Sequence, residues 1–275
     1  MEGVEGGGVR LAFERTGASG DPVVLIHGGW DDHRSWDPVV PRLAEALRVI
    51  AYDRRGHGES RGPARERPVL HDASDLGMLL ETTGEFPAHL VGQGFGGVVA
   101  LRLAVDRPEL VRSVVAHEPP FVAWAEGASS GPSASGSVAA QVRRIQALAR
   151  SEPELAAEAY LAVFASPEEQ WGQLGPSARR ELASNGPAWA EEMADPEVWR
   201  AGWEELSGVP VPVLLTAGGR SPAFAARVDE RLASSLPNAT AVRLSEGGHF
   251  VQRTDPGLWV GVLGSFLLER NVPST

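Results

Sequence analysis

Short apolar runs alternate with segments of helical periodicity along most of the chain. The runs are continuous rather than broken by polar residues at every second position, and most end at glycine or at a charged residue. Continuous apolar runs are typical of strands buried on both faces, as in a parallel sheet. Six such strands are predicted, at residues 22–28, 48–53, 88–93, 112–118, 211–219 and 239–248.

Helical patterns separate these runs. They are predicted at residues 35–47, 72–83, 95–106, 223–236 and 255–270. The repetition of strand and helix predicts an α/β fold, with a mostly parallel central sheet and helices on both faces. Near the start, "GVRLAFERTG" (8–17) is expected to form an antiparallel edge strand.

The alternation stops between residues 121 and 208, where no strand is predicted. A small, polar stretch at 126–137 precedes helical patterns at 138–150, 152–165, 176–185 and 195–206. We therefore predict a core formed by residues 1–120 and 209–275, with residues 121–208 inserted as a helical lid.

Composition excludes several classes of protein. Of the 275 residues 43% are hydrophobic, which suits one large globular domain. The chain has no cysteine and no lysine, so thiolate metal sites, cysteine nucleophiles and Schiff-base lysines are excluded. A net charge of −11 makes nucleic acid an unfavourable partner. Neither a secretory signal nor a long apolar span is visible, so we expect a cytoplasmic protein without a membrane partner.

The stretch "LVGQGFGG" contains the frame of a G-x-S-x-G motif, but its third position is Gly94. Four further motifs accompany it, in an order and spacing that resemble the α/β-hydrolase superfamily over nearly the whole chain outside the lid. They are "LIHGGW" (25–30), "YDRRGHGES" (52–60), "VPVLLTAGGRSP" (211–222) and "SEGGHFVQRTDP" (245–256). The resemblance implies a nucleophile elbow at Gly94 and a histidine loop at His249.

Two positions depart from that pattern. Gly94 stands where a serine nucleophile is expected, and Ser221 stands where the acidic residue usually follows the late strand. Glycine cannot attack a substrate, so ordinary acyl-enzyme chemistry is not expected.

The remaining parts of the site are still predicted. Glu118 lies at the carboxyl end of the strand after the elbow helix, so we predict that it orients His249; alternatively, it caps the lid entry or pairs with an arginine. The amide of Phe95 and that of Gly29 or Trp30 are the expected oxyanion hole.

Other residues are candidates for substrate contact. Gln93, next to the elbow, and three lid tryptophans, Trp124, Trp171 and Trp189, are proposed to line an apolar substrate cavity. The alternative for each tryptophan is that it packs the lid onto the core. No cofactor is expected, and the acidic residues after the oxyanion loop match no metal motif.

We therefore predict an enzyme that acts on a small, largely apolar molecule, with His249 as general base and without a covalent intermediate. Water addition, elimination and rearrangement all suit such a site, and slow direct hydrolysis of an activated ester is a further possibility. The alternative is a ligand-binding protein or receptor that has lost its chemistry.

Overall fold

A computed structural model describes residues 1–60, 68–121, 137–200 and 203–268 of the chain. At its centre is one eight-stranded sheet with the order β1-β2-β4-β3-β5-β6-β7-β8. The strands are β1 (Glu2–Gly6), β2 (Val9–Thr16), β3 (Pro22–Ile26), β4 (Arg48–Tyr52), β5 (Ala88–Gln93), β6 (Val111–His117), β7 (Val213–Gly218) and β8 (Ala239–Leu244).

The sheet is parallel from β4 to β8, as the continuous apolar runs predict. β2 is antiparallel to β4, but β1 pairs with its other side, so the prediction that β2 is an edge strand is wrong. β1 and β8 form the edges, and four of the six residues of β8 are exposed.

Alternate residues of the strands enter two hydrophobic clusters, one on each face of the sheet. Val24 and Leu90 belong to one cluster, and their neighbours Val23 and Val91 belong to the other. This period of two follows from the pleat of a strand, which sends successive side chains to opposite faces. Both faces are therefore buried beneath helices, and the α/β prediction is confirmed.

Helices cover the two faces unequally. The described helices are α1 (Val40–Leu43), α2 (Pro68–Thr83), α3 (Phe95–Asp106), α4 (Val138–Leu148), α5 (Pro153–Phe164), α6 (Pro176–Ser184), α7 (Gly186–Glu192), α8 (Ala223–Ser235), α9 (Val251–Thr254) and α10 (Pro256–Leu268). The first face carries α2, α3 and α8, and the second carries α1 and α10. Among these helices none is both long enough and apolar enough to cross a bilayer.

Two predicted helices differ from the structure. The segment 35–47 is a 3-10 turn (His33–Trp36) followed by the short α1, because Pro38 and Pro41 remove backbone donors from the middle of the pattern. Only the 3-10 turns Pro196–Trp199 and Glu204–Gly208 form in the segment 195–206, and residues 201–202 lie outside the described part.

The helices α4 to α7 lie between β6 and β7 in the chain and are called here the inserted helices. Their buried residues, among them Val142, Leu161 and Trp189, continue the first hydrophobic cluster. The inserted helices are thus packed onto the core rather than separate from it.

Candidate active site

The elbow between β5 and α3 is a tight turn centred on Gly94. This residue has φ 54° and ψ −124°, a conformation that side-chain-bearing residues rarely adopt. Its N–H donates to the carbonyl of His117 (2.8 Å). A β-carbon on Gly96 would collide with the backbone carbonyl of Ile26, so that glycine is required for the close approach of α3 to β3.

Gly94, in contrast, has room for a side chain. A β-carbon built on it would lie 3.7 Å from Gly28 Cα, 3.9 Å from His249 Cε1 and 4.0 Å from His249 Nε2. These are ordinary contact distances, so no atom of the described residues overlaps the place that a β-carbon of residue 94 would take. The backbone conformation, rather than a lack of space, is what restricts this position.

His249 and Glu118 form a buried pair. His249 Nδ1 donates to Glu118 Oε2 (2.7 Å), and the Gly218 N–H donates to the other carboxylate oxygen (2.7 Å). Glu118 follows β6 directly and is the only residue other than glycine with a positive φ, 49°, in the described ranges. That turn presents the carboxylate of Glu118 to the imidazole.

The pair shifts the pKa of each partner towards its charged form. Burial alone would raise the pKa of Glu118, but the charges of His117 and His249 outweigh it and lower the pKa to about 2. Burial alone would lower the pKa of His249, but the hydrogen bond and charge of Glu118 raise it above its ordinary value. Glu118 is therefore ionised at neutral pH, and His249 binds a proton more readily than a free histidine.

Two side chains face the second ring nitrogen of His249. The Tyr160 hydroxyl lies 2.7 Å from Nε2, and the amide nitrogen of Gln93 lies 2.9 Å from it. The same Gln93 nitrogen donates to the His249 carbonyl (3.2 Å), which orients the amide group. Because an amide nitrogen only donates, its position favours the imidazole with Nε2 unprotonated.

Gln93 does not line the cavity described below, so the structure does not support the expectation that it contacts substrate. Its side chain packs against Gly28 instead, where a β-carbon would collide with its amide oxygen. Gln93 thus contacts the imidazole rather than the space open to a ligand.

Two amides next to the elbow lack acceptors. Neither the N–H of Phe95 nor that of Gly29 donates a hydrogen bond to any residue of the described part. Both residues line the cavity, whereas Trp30 does not. The N–H of Trp30 likewise has no acceptor in the described part, and its ring packs against Trp189 (5.3 Å between ring centroids), so the choice between Gly29 and Trp30 stays a prediction that the cavity lining favours for Gly29.

The cavity over the elbow is small and mostly apolar. Its volume is about 40 Å³. The lining residues come from the core and from the inserted helices, and they include Phe121, Val142, Phe164, Met193 and Phe224.

The three tryptophans predicted to line it have different locations. Trp189 lines the cavity and is almost fully buried. Trp171 does not: it lies in the 3-10 turn Trp171–Gln173, beneath the Arg179 guanidinium and beside a separate surface groove. Trp171 therefore lies at this groove instead of lining the cavity over the elbow, which corrects the expectation from the sequence. Trp124 lies outside the described residues.

Sequence patterns missed Tyr160 and Glu192. Tyr160 belongs to α5 and is one of two tyrosines in the chain, but its apolar helical surroundings gave no sign that it reaches His249. Glu192, at the end of α7, is fully buried and pairs with Arg54 (2.7 Å). Arg54 also donates to the Gly28 carbonyl (3.1 Å), so this ion pair connects the inserted helices to the loop that carries Gly29.

In the described ranges, one cluster of side chains has atoms close enough together to bind a metal ion. It consists of Asp32, His33 and Asp53. Arg34 binds the carboxylate of Asp32, and the Asp53 carboxylate accepts from the backbone and the ring of His33. Because these hydrogen bonds already engage both carboxylates, the arrangement is explained as loop structure without an ion.

Residues 21–256 match the family model described as alpha/beta hydrolase fold. The protein named "Putative carbamate hydrolase RutD" of Pseudomonas syringae pv. syringae (strain B728a) is 30% identical over 268 residues, which cover 91% of this chain and 95% of that protein. The acetyltransferase component of the acetoin cleaving system of Cupriavidus necator is 36% identical over 137 residues, half of this chain. That match spans only 36% of the longer relative.

Solved structures show the same fold. The enol-lactonase from Burkholderia xenovorans LB400 superposes with a TM-score of 0.78 and 20% identity, over 97% of this chain and 99% of that chain. At this level of identity the similarity establishes the architecture alone.

Proposed function

The chain belongs to the alpha/beta hydrolase fold family, and from that premise we propose that it is an enzyme that hydrolyses a small, largely apolar carbonyl compound without forming an acyl-enzyme. In this proposal Gly94 occupies the place of the serine nucleophile, His249 is the general base and Glu118 orients it. The observation that carries the proposal is a carboxylate-paired imidazole next to an open space and two unpaired amides.

Water takes the place of the missing hydroxyl. A molecule in the space beside Gly94 lies within hydrogen-bond reach of His249 Nε2, because a β-carbon there would already be 4.0 Å away. As its oxygen bonds to the substrate carbonyl carbon, one of its protons passes to Nε2. The Glu118 carboxylate stabilises the imidazolium that results, as the acidic residue does in a serine triad.

The unpaired amides stabilise the other charge of the reaction. Negative charge develops on the carbonyl oxygen, and the N–H groups of Phe95 and Gly29 are available to receive it. The positive end of α3 adds a favourable field at the same place. Preformed donors of this kind typically contribute about 3–4 kcal/mol each.

One relative favours water as the attacking group over elimination or rearrangement. It is the 30% identical protein named for carbamate hydrolysis. Carbamates, lactones and esters share a polarised carbonyl with an oxygen or nitrogen leaving group, and we propose this class of substrate. The apolar lining limits the acyl part to small hydrocarbon groups, and the inserted segment 121–208 serves as a lid.

Steady-state and rapid-mixing kinetics test the proposal with a panel of aryl acetates, a γ-lactone and an N-alkyl carbamate. We expect turnover without an initial burst, and no acyl adduct in the mass of the quenched protein. His249→Ala and Glu118→Gln should each reduce kcat by at least about 10³-fold, by comparison with triad variants.

The control is His71→Ala, which removes an exposed histidine on α2 and should leave kcat unchanged. A stoichiometric burst or an acyl adduct contradicts the non-covalent route. If panel compounds bind but neither the native protein nor any variant turns them over, the protein is a ligand-binding member of the family instead.

A further inference from the structure

The hydroxyl of Tyr160 has one partner among the described residues, His249 Nε2 at 2.7 Å. Tyr160 projects from α5 of the inserted helices, and its side chain is 7% exposed. We propose that Tyr160 is a catalytic acid, which protonates the leaving group and is then reprotonated by His249. This inference rests on the proposed function and adds a second catalytic residue to it.

Aromatic contacts hold the phenol in place. The ring of Tyr160 stacks on Phe164 (4.8 Å between centroids) and lies against Trp30 (5.2 Å) and Trp189 (5.7 Å). Three rigid neighbours restrict rotation of the ring, so its hydroxyl remains at Nε2 without a further hydrogen bond. The geometry is that of a group positioned for proton exchange with the imidazole.

The cavity offers few other acids. Of the described residues that line it, Glu118, Tyr160, Trp189 and His249 carry polar side-chain atoms. Glu118 is ionised and already engaged by His249, and an indole N–H does not release its proton in this range of pH. Among the described lining residues, a leaving group inside the cavity can therefore take a proton from Tyr160 or from the imidazolium.

Tyr160 retains its proton until a strong base accepts it. Burial raises the pKa of its phenol well above the ordinary value, and the nearby carboxylates of Asp31 and Glu118 add to that shift. An anionic, nucleophilic Tyr160 is thus disfavoured, whereas a neutral donor is favoured. A departing alkoxide or amide anion is basic enough to take such a proton.

The proton balance of the cycle closes. Water gives one proton to Nε2 while its oxygen bonds to the carbonyl carbon. The tetrahedral intermediate then collapses, the bond to the leaving oxygen or nitrogen breaks, and that atom takes the proton of Tyr160. The phenolate recovers a proton from Nε2, 2.7 Å away, which restores neutral His249 and yields an acid and an alcohol or amine.

With His249 as the base and Tyr160 as the acid, the site favours one class of substrate. Protonation matters most when the leaving group is a poor one, such as the alkoxide of an alkyl ester or lactone or the nitrogen of a carbamate. It matters little when the leaving group is a stabilised phenoxide. The inference therefore predicts that Tyr160 is needed for substrates with basic leaving groups and is nearly dispensable for activated esters.

Tyr160→Phe removes the hydroxyl and keeps the ring contacts. We expect kcat to fall by about 10²–10⁴-fold for ethyl acetate and γ-butyrolactone, but by less than about threefold for 4-nitrophenyl acetate, with KM nearly unchanged throughout. Phenyl acetate should give an intermediate loss. Tyr52→Phe is the matched control, because it removes the other buried phenol, whose hydroxyl has no partner in the described part of the chain.

An equal loss for all esters would mean that Tyr160 only supports the structure, and no loss would mean that it takes no part; either result overturns the inference. In both cases His249→Ala still abolishes turnover, so the proposed function survives. If the native protein hydrolyses none of these esters and His249→Ala behaves identically, the proposed function and this inference fail together.

Discussion

At the scale of a single residue, Gly94 leaves the turn between β5 and α3 without a side chain beside His249. Its backbone turns sharply between β5 and α3, with φ 54° and ψ −124°, and it carries no side chain that could extend towards His249. A residue with a β-carbon in this conformation carries about 1–3 kcal/mol of strain, which glycine avoids. Gly94 therefore adopts this sharp turn without the strain that a side chain would add.

Gly94→Ser should restore a hydroxyl beside His249 Nε2. We expect the free energy of unfolding in urea to fall by about 1–3 kcal/mol, because the strain returns while the added β-carbon meets only ordinary contacts. The variant should also show a burst of 4-nitrophenol from 4-nitrophenyl acetate.

Gly94→Ala is the matched control for that variant. It adds the same β-carbon without the hydroxyl, so it should show a similar loss of stability and no burst. A serine variant that is as stable as the native protein and shows no burst would contradict the placement of His249 described here.

Residue patterns located Glu118 but not Tyr160, for a physical reason. Glu118 follows an apolar run directly, and the carboxyl ends of neighbouring parallel strands meet at one edge of a sheet. The structure places its carboxylate 2.7 Å from His249. Tyr160 reaches the same imidazole from α5, and the packing angle of an inserted helix on a sheet is not encoded in any short motif.

At the scale of elements, the periodicity of the chain predicted most of the architecture. Apolar runs located β3 to β8, but the expectation of burial on both faces is wrong for β8, which includes Thr240 and Arg243 and exposes residues 240–243. The antiparallel pairing of β2 was foreseen, whereas β1 was not, since "EGVEG" (2–6) lacks the apolar residues that mark a strand. The apolar pattern therefore predicted which segments form strands, but it was less successful in predicting which strands lie next to each other in the sheet.

The inserted helices provide a prediction about the cavity wall. Trp189 of α7 lines the cavity and packs against Trp30, so Trp189→Ala should enlarge the space for substrate. We expect kcat/KM for aryl butyrates to rise relative to aryl acetates, and the free energy of unfolding to fall by about 3–5 kcal/mol.

Trp171→Ala is the control for the Trp189→Ala variant. This tryptophan comes from the same inserted segment but lies outside the cavity, so the ratio of butyrate to acetate should remain that of the native protein. The assignment of the wall would be refuted if both variants changed the ratio equally, or if neither did.

At the scale of the whole molecule, the buried pair of Glu118 and His249 couples stability to pH. Glu118 has a pKa of about 2 in the folded chain against an ordinary value of 4.5, so its contribution is complete above pH 4.5 and is lost as the pH falls towards 2. His249 has a raised pKa, so its contribution is complete below its ordinary value of 6.5 and is lost as the pH rises through the folded value. The pair stabilises the fold most between these limits.

Glu118→Gln should therefore reduce stability most strongly near pH 5.5. The shift in the pKa of Glu118 corresponds to about 3 kcal/mol, and urea denaturation of both proteins from pH 3 to pH 9 measures the difference. The difference should shrink at either end of that range. A difference independent of pH would show that the pair contributes packing rather than charge.

The empty elbow also has a practical consequence. Fluorophosphonate reagents identify members of this fold in cell extracts by phosphylating the oxygen that the elbow normally presents, and Gly94 presents none. A protein with the proposed function would escape such labelling and resist organophosphorus compounds that react at that oxygen. Counts of active enzymes made with those reagents would therefore omit it.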